Sequence, residues 1–149
     1  MAAVKHARGV KLLIKVGDGA SPEEFATPCS INAERGITFT AGSNDQDIPD
    51  CTDPDAIAWV VREKTNLSAS ITGSGVLDTS DVETFFDWLK SEDPKNVKVI
   101  VDVPASDGGV IFTGAFHLTE FSITGNRGEK MQASISLSSS GEITSGANV

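Results

Sequence analysis

The sequence predicts a mainly β fold, a β-sandwich of about seven or eight strands with one α-helix. Two stretches, 67–76 and 131–139, alternate apolar or glycine residues with hydroxyl or amide residues, as strands with one buried face do. Fourteen glycines supply turns, and only the stretch 82–89 has an apolar stripe at helical spacing. At 149 residues, the chain is expected to form a single domain, 1–149.

The first half of the chain contains four predicted strand segments. VKLLIKV at 10–16 ends at a glycine-rich turn, and a short strand is expected at 30–32 after a loop with two prolines. GITFTA at 36–41 alternates as a half-buried strand does. IAWVV at 57–61 indicates either a short strand or a buried anchor.

The second half continues the β pattern to a polar end. VKVIVDV at 97–103 and the long segment at 109–125 are predicted strands. In the long segment the apolar phase shifts between Leu118 and Phe121, which predicts a β-bulge near Leu118–Glu120. The last stretch, about 140–149, is polar and is expected to be a flexible C-terminal tail.

One helix is predicted from capping residues at its start, a stripe of apolar residues and a proline after its end. Ser80 and Glu83 have the spacing of a capping box, and Pro94 ends the segment. Four apolar residues with helical spacing are expected to face the core: Val82, Phe85, Phe86 and Leu89.

Charge is distributed unevenly along the chain, whose formal net charge is −9. Four basic residues precede the first acid, Asp18, so the rest of the chain holds eight basic and 21 acidic residues. Since termini are commonly loose, we predict a basic N-terminal arm at about 1–9 that includes Lys5 and Arg8. The acidic body should repel nucleic-acid phosphates.

An acidic stretch at 43–55, SNDQDIPDCTDPD, raises the question of a calcium site. As an EF-hand loop starting at Asp45 it fails, because Asp50 stands where glycine is required and Ala56 where glutamate is required. No second thiol or histidine stands at ligand spacing from its cysteine. The sequence therefore predicts neither a metal site nor a cofactor.

A looser calcium site formed by Asp50, Asp53 and Asp55 stays an alternative. The favoured interpretation is a long acidic loop at about 42–66. This loop leads to Trp59, and tryptophan is a residue type that often anchors interfaces.

Catalytic chemistry finds little support in the residues. His6 and His117 are the only histidines, and both are expected on the surface. Gly73-Ser74-Gly75 lacks the spacing of a nucleophile elbow. Cys29 and Cys51 allow at most one disulfide, and free thiols in a reducing compartment are favoured. The protein is predicted not to be an enzyme.

Membrane insertion and secretion find no support either. No apolar run approaches the ~20 residues of a transmembrane helix, and the apolar run near the start is too short for a signal peptide. We expect no membrane anchor and first folding in the cytoplasm.

Taken in order, these segments resemble the major tail tube proteins of long, non-contractile-tailed bacteriophages. The similarity spans nearly the whole chain, and SASITGSGVL is its most recognisable part. The segments that carry it are KLLIKVGDG, INAERGITFT, the acidic loop with Trp59, NLSASITGSGVLD, DTSDVETFFDWL and GAFHLTEFSITGNRGEKMQASISLSSSGEIT.

The resemblance implies a structural subunit without a catalytic step. Six subunits would form a ring, rings would stack into a tube, and one inner sheet per subunit would join its neighbours into a ring-wide β-barrel through which DNA passes. The implied partners are other copies of the chain, the tape measure protein, the tail terminator and distal tail or baseplate proteins. The implied location is the virion tail, with assembly in the host cytoplasm.

Two groups of candidate site residues follow from the resemblance. Contacts between subunits are expected at the basic arm and the acidic loop: Lys5, Arg8, Asp50, Asp53, Asp55 and Trp59. Hydroxyl and acidic side chains on or beside strands are expected to line the lumen without binding phosphates: Ser68, Ser70, Thr72, Ser74, Glu34, Asp102 and Glu120.

Two alternative functions stay open. A type VI secretion tube or the inner tube of a contractile tail would share the architecture. A secreted β-sandwich module that binds calcium or carbohydrate through the acidic loop belongs to a different class of protein.

Overall fold

The computed structural model describes residues 3–19 and 22–148, and within these residues it contains eight strands and one α-helix. The strands are β1 (Leu12–Gly17), β2 (Phe25–Ala26), β3 (Glu34–Ile48), β4 (Trp59–Val76), β5 (Lys95–Val101), β6 (Val110–Thr124), β7 (Gln132–Ser139) and β8 (Thr144–Ala147). Helix α1 spans Val82–Lys90, and short 3₁₀ turns occur at Gly9–Lys11, Thr79–Asp81 and Ala105–Asp107. The predicted mainly β fold with one helix is confirmed.

All paired strands are antiparallel, in the order β2-β1-β5-β6-β7-β4-β3, and β8 also pairs with β6. The sheet is not closed, but it bends over itself into two layers. Arg35 Nη1 of β3 donates to the carbonyl oxygen of Leu12 at the start of β1, 2.9 Å away. The rings of Phe39 and Phe112, on β3 and β6, have centroids 4.9 Å apart. Strands distant in the sheet order therefore face each other.

The core lies between these layers and is closed on one side by α1. Ile14, Ile71 and Leu137 are fully buried in it. The ring of Phe85 on α1 lies 5.3 Å from that of Phe121 on β6, and Trp88 is buried beside it. The helix thus covers the core-facing side of the sheet.

The predicted β-bulge in β6 is confirmed. The register between β6 and β7 shifts between Leu118, which pairs with Leu137, and Glu120, which pairs with Ser136. Thr119 is the extra residue, and its hydroxyl donates to the carbonyl oxygen of Ser136 at 3.0 Å. The bulge lets the apolar residues on both sides of it face the core.

The strand predicted at 30–32 is wrong, because Ser30 ends a turn and the next two residues have no regular secondary structure; the nearby strand is β2. Ser30 and Ile31 are buried, but they cross over β4 instead of pairing beside it. A Cβ at Gly73 would lie 2.6 Å from Cγ2 of Ile31, so a glycine at this position allows the close crossing.

The helix is where the sequence predicts it, but its buried stripe differs. Phe85 and Trp88 are buried, whereas Phe86 and Leu89 are 50% and 38% exposed. The capping box does not form, because the 3₁₀ turn at Thr79–Asp81 shifts the start of α1. The helix therefore packs on the core through Phe85 and Trp88, three positions apart, and the apolar side chains of Phe86 and Leu89 face solvent.

Most of the acidic stretch is strand and not loop, so the prediction of a long loop at 42–66 is wrong. β3 and β4 continue through it as a two-stranded hairpin that ends where Ile48 pairs with Trp59. Only residues 49–58 connect the strands. Pairing of the two strands provides hydrogen-bond partners for the backbone N–H and C=O groups, which a loop of this length would leave unpaired. We call residues 43–65 the distal hairpin.

The C-terminal stretch is also more ordered than the polar composition indicates. Residues 144–147 form β8, which pairs with β6 from Thr144 opposite Thr113 to Ala147 opposite Val110. The side-chain amide of Asn148 donates to the carbonyl oxygen of Val103 at 2.9 Å. The expectation of a free tail at 140–149 is therefore wrong for its described part; residue 149 lies outside the described residues.

Candidate functional site

Four neighbouring strands, β3, β4, β7 and β6, present an outer face on which more than half of the residues are serine or threonine. Residues directly opposite in an antiparallel ladder share a face. β4 alternates buried Ala69 and Ile71 with exposed Ser70 and Thr72, which fixes the outer face. Through the register this hydroxyl face comprises Thr38, Thr40, Ser68, Ser70, Thr72, Ser74, Ser134, Ser136, Ser138, Ser122 and Thr124.

The same register places two acids and one histidine on the hydroxyl face, together with Asn66, Val76, Gln132 and two glycines. Glu34 lies opposite Ser74, Glu120 opposite Ser136 and His117 opposite Ser138. Helix α1 packs on the other side of the sheet, through Phe85 against Phe121. The hydroxyl face is therefore not covered by the helix.

Six of the seven predicted lumen residues lie on the hydroxyl face, and Asp102 does not. Asp102 follows the end of β5 in the other layer; its amide donates to the carbonyl oxygen of Lys11 at 2.8 Å. The amide of Asn148 donates to its carboxylate at 3.5 Å. Asp102 therefore helps to fasten the C-terminal stretch. The serines of β7 were missed as candidates, although the alternation in 131–139 marks them.

The sheet segment that carries the hydroxyl face has an unpaired backbone edge on each side. β3 pairs only with β4, so its outer edge is free along Glu34–Ile48. β6 pairs with β5 only as far as Phe116, so 117–124 keep β7 as their single partner. In the part of the chain that the structure describes, no other backbone hydrogen bond covers these edges. Such edges are templates for another chain.

The acidic interface candidates lie together in the distal hairpin. Asp50, Asp53 and Asp55 are in the connection at 49–58 and are exposed, and Trp59 beside them is 89% exposed. The notion of a buried anchor at 57–61 is therefore wrong within one subunit. The exposed tryptophan and acids form an apolar and anionic tip.

Hydrogen bonds order part of this tip. The carboxylate of Asp50 accepts from the amide and hydroxyl of Thr52, both at 2.9 Å. These bonds hold the pKa of Asp50 below its usual range. Further along, Arg62 and Asp45 form an ion pair at 3.2 Å between the two strands.

The basic candidates lie elsewhere on the subunit. Residues 3–8 have no regular secondary structure, and the ammonium of Lys5 donates to the carbonyl oxygen of Ser106 at 3.0 Å. Arg8 is exposed just before the first 3₁₀ turn. Within the described residues no hydrogen bond or ion pair joins this arm to the acidic tip. Residues 1 and 2 of the arm lie outside the described residues.

The described residues contain two free thiols and no cluster of metal-ligating side chains. No group of three or more histidine, cysteine or acidic side chains is placed to hold a metal ion there. Cys29 and Cys51 are both free and exposed. A hydrogen bond with Asp78 raises the pKa of the Cys29 thiol. No helix in the described ranges is long and apolar enough to span a membrane.

Comparison with known proteins gives a match along nearly the whole chain. The family model described as phage tail tube protein matches residues 6–145. The tail of an empty gene transfer agent (GTA) particle, refined with C6 symmetry, is 25% identical with a TM-score of 0.71. The alignment covers 95% of this chain and 100% of that one. No curated protein sequence gives a significant match.

Two further solved structures are similar in fold alone. The SPP1 tail tube protein is 11% identical, with a TM-score of 0.62 over 97% of this chain and 81% of that one. The tube-terminating cap of the anti-feeding prophage is 12% identical, with a TM-score of 0.62 over 99% and 95% of the two chains.

Proposed function

This chain belongs to the phage tail tube protein family, and we propose that six copies of it close into a ring whose stacking builds a hollow conduit for DNA. The protein is a structural subunit of a phage tail tube, and its place is the virion tail. The number six is taken from the GTA tail, which has C6 symmetry and is 25% identical to this chain.

One observation carries the proposal: the hydroxyl face is flanked by two free strand edges. The outer edge of β3 and residues 117–124 of β6 lie at opposite sides of the same four strands. Pairing of β3 in one copy with β6 in the next is a head-to-tail contact, which closes into a ring when the rotation allows it. Closure would also remove the edges that otherwise promote aggregation.

The size of the resulting barrel suits a conduit. Four strands from each of six copies give a barrel of ~24 strands. Barrels of about 16–18 strands already leave an aqueous channel. We propose that the hydroxyl face is the wall of this channel.

The chemistry of the hydroxyl face favours passage over binding. Serine and threonine are small and neutral, and the carboxylates of Glu34 and Glu120 would repel phosphates. No lysine or arginine lies on this face among the strand residues that the register defines. Cations in the wall would hold DNA in a salt-dependent way.

Assembly is proposed to involve only protein contacts and no catalysis. Other copies of this chain are the main partner, and tape measure, terminator and distal tail or baseplate proteins are proposed at the inside and the ends of the tube. Assembly in the host cytoplasm is part of the same proposal. Inner tubes of contractile systems share the fold, but the family match over residues 6–145 favours the phage tail.

Electron microscopy of the concentrated purified protein tests the proposal. The expected result is rings or hollow tubes with six-fold symmetry in end-on views. Protein that stays monomeric at high concentration and in the presence of its tail partners, or that forms solid filaments, contradicts it.

A further inference from the structure

Helix α1 has an apolar flank that its own subunit leaves uncovered. Phe86 and Leu89 are 50% and 38% exposed, whereas Phe85 and Trp88 are buried. The side of the helix that carries Thr84, Phe85 and Trp88 lines the cavity next to β1 and β2. With about 3.6 residues per turn, Phe86 and Leu89 project about a third of a turn away from that side. We call Phe86 and Leu89 the outer flank of α1.

The outer flank points toward the free edge of β6. α1 packs on the stretch 117–124 of β6 through Phe85 and Phe121. In the sheet order, β1 and β2 are separated from β6 by β5, and β1 reaches β3 in the other layer through the hydrogen bond from Arg35 to Leu12. The side of α1 that faces β1 and β2 is therefore directed back over the subunit, and the outer flank is directed away from it.

A large apolar groove borders the opposite edge of the same four strands. Its volume is about 800 Å³, and it lies between β3 and β4 in one layer and Phe112 and Ile143 in the other. Phe39 of β3 and Leu67 of β4 line it and are 51% and 79% exposed. β3 is the outermost strand, so the groove adjoins its free edge. Exposed apolar surfaces of this kind mark sites of contact with another molecule. We call this groove the β3–β4 groove.

The charges beside the two surfaces are complementary. Glu142 is the single charged residue in the lining of the groove, and it forms no ion pair with a described residue. Next to the outer flank, the ammonium of Lys90 lies 4.8 Å from the ring centroid of Phe86 and 3.7 Å from the carboxylate of Asp87. An exposed pair such as Lys90 and Asp87 contributes little to stability. Lys90 is therefore available to a carboxylate of another copy.

Closure of the proposed ring requires a stagger between β6 of one copy and β3 of the next. By the ratio of shear to strand number in a barrel tilted by about 36°, a barrel of ~24 strands from six copies is staggered by about four residues per copy. Without stagger, the ladders place residues 117–124 of β6 level with positions 38 to 32, which run past the start of β3 at Glu34. An offset of about four toward higher numbers keeps all of 117–124 beside β3.

This stagger continues the core-facing side of the sheet across the seam. It brings Phe121 of one copy beside Phe39 of the next, and Ile123 beside Ile37. Ile123 is 44% exposed in the isolated subunit. An even offset keeps core-facing residues on one side, because side chains alternate with a period of two. Since α1 packs on Phe121, its outer flank then lies next to the β3–β4 groove of the next copy.

We propose that, within a ring, the outer flank of α1 in one copy closes the β3–β4 groove of the next copy, with Phe86 and Leu89 against Phe39 and Leu67. Lys90 then lies near Glu142 of that copy. This rests on the proposed ring. Each copy offers α1 at one edge and the groove at the other, so the contact is head-to-tail and closes when the ring closes. It adds an apolar contact outside the strand pairing of the barrel wall.

A cross-link between the two surfaces is the most direct test. Leu89→Cys and Leu67→Cys are introduced together into protein that carries Cys29→Ser and Cys51→Ser and so has no other thiol. Mild oxidation of assembled tubes should give a ladder of covalent multimers on a non-reducing gel. The ladder should end at six copies, because the contact runs around one ring. A ladder that continues beyond six would assign the contact to adjacent rings and overturn the proposal.

Controls distinguish this contact from the ring itself. Each single cysteine variant should give no ladder. Thr84→Cys with Leu67→Cys places the thiol on the other side of α1 and should give none either. Tubes of normal appearance that carry Leu89→Cys and Leu67→Cys but do not cross-link overturn this contact and leave the ring intact. Wild-type protein that forms neither rings nor tubes contradicts the proposed function instead.

Polar substitution of the outer flank separates assembly from folding. Phe86→Gln with Leu89→Gln should raise the critical concentration for rings and tubes on the order of tenfold. The melting temperature of the monomer should stay within a few degrees of wild type, because both side chains are exposed there. Thr84→Gln is the control on the same helix and should leave assembly unchanged. An unchanged critical concentration for the double variant overturns the proposal.

A charge exchange tests the pairing of Lys90 with Glu142. Lys90→Glu should raise the critical concentration a few-fold, since it places two acids together at the edge of the groove. Adding Glu142→Lys should restore assembly, whereas adding Glu92→Lys should not. Equal rescue by the two lysines, or rescue by neither, contradicts this pairing.

Discussion

Ser30 and Asp81 are joined by two hydrogen bonds although 51 positions separate them in the sequence. The amide and the hydroxyl of Ser30 both donate to the same carboxylate oxygen of Asp81, at 3.1 and 3.0 Å. The Ser30 hydroxyl also accepts from the amide of Asp78 at 2.9 Å. One buried serine thus fastens the crossing segment to the start of α1.

Ser30→Ala is expected to destabilise the subunit by about 1–3 kcal/mol, because it leaves buried polar partners unsatisfied. Denaturant unfolding of the monomer measures the change. Ser68→Ala on the exposed hydroxyl face is the control and should change stability by less than ~0.5 kcal/mol. Equal effects of the two variants would contradict the role of Ser30.

The neighbouring phenylalanines of α1 should behave differently. Phe85→Ala is expected to cost about 3–5 kcal/mol, since the ring is buried against Phe121. Phe86→Ala removes a half-exposed ring and should cost less than ~1 kcal/mol. Unfolding curves of both variants measure the two losses of stability. A larger loss for Phe86→Ala than for Phe85→Ala would mean that α1 presents a different face to the core.

The contribution of the turn before α1 to the stability of the subunit should depend on pH, because the turn is held by the carboxylate of Asp78. Hydrogen bonds from the hydroxyl and amide of Ser80 hold the pKa of Asp78 below its usual range. Its stabilising contribution is therefore present above the ordinary aspartate pKa and is lost as pH falls through the lowered value. Asp78→Ala should lower the melting temperature at neutral pH, and the gap to wild type should close in acid.

Asp93→Ala is the control for this pH series. The side chain of Asp93 accepts no hydrogen bond among the described residues, so its removal should leave the melting temperature nearly unchanged throughout. A gap for Asp78→Ala that stays constant down to strongly acid pH would contradict the role of its carboxylate.

A cation on the hydroxyl face should convert the conduit into a DNA-binding surface. Thr72→Lys would add one ammonium per subunit in the centre of this face, and we expect tubes that retain short duplex DNA at low salt. The retention should fall steeply as salt is added. Glu83→Lys, on the exposed side of α1, is the control and should retain less DNA inside the tube.

Removal of residues 1–8 should affect assembly more than folding. The described part of this arm contributes no buried residue, and a hydrogen bond from Lys5 to the carbonyl oxygen of Ser106 is among its contacts with the body. The truncated protein should melt within a few degrees of wild type but form fewer or shorter tubes in electron micrographs. Normal tubes would show that the arm is dispensable.

The alternating segments were predictable because their pattern and their environment agree. In 67–76 and 131–139 every second residue is apolar or glycine, and nearly all of these face the core. The bulge after Leu118 was predictable for the same reason, since the apolar phase changes there. Local patterning therefore located the hydroxyl face and most of its predicted residues.

Features decided by distant contacts were not predictable in this way. The orientation of α1 depends on the 3₁₀ turn held by Asp78, so Trp88 and not Leu89 is buried. The pairing of 43–48 with 59–64 joins acidic and mixed sequences that have no apolar alternation. The strand at 144–147 forms because β6 offers it an edge, although its own composition is polar.

The distal hairpin has a consequence for how a tube grows. Among the described residues, β7 pairs with β4 only from Ser70 onward, so no third strand lies beside the hairpin beyond Asn66. Two-stranded ribbons are marginally stable in water. We therefore expect this segment to gain its full order only when a neighbouring copy in the tube contacts it. Tube growth would then start slowly, because ordering the hairpin in the first rings costs conformational entropy that no contact with a neighbour offsets. Further rings would add readily once a tube end exists.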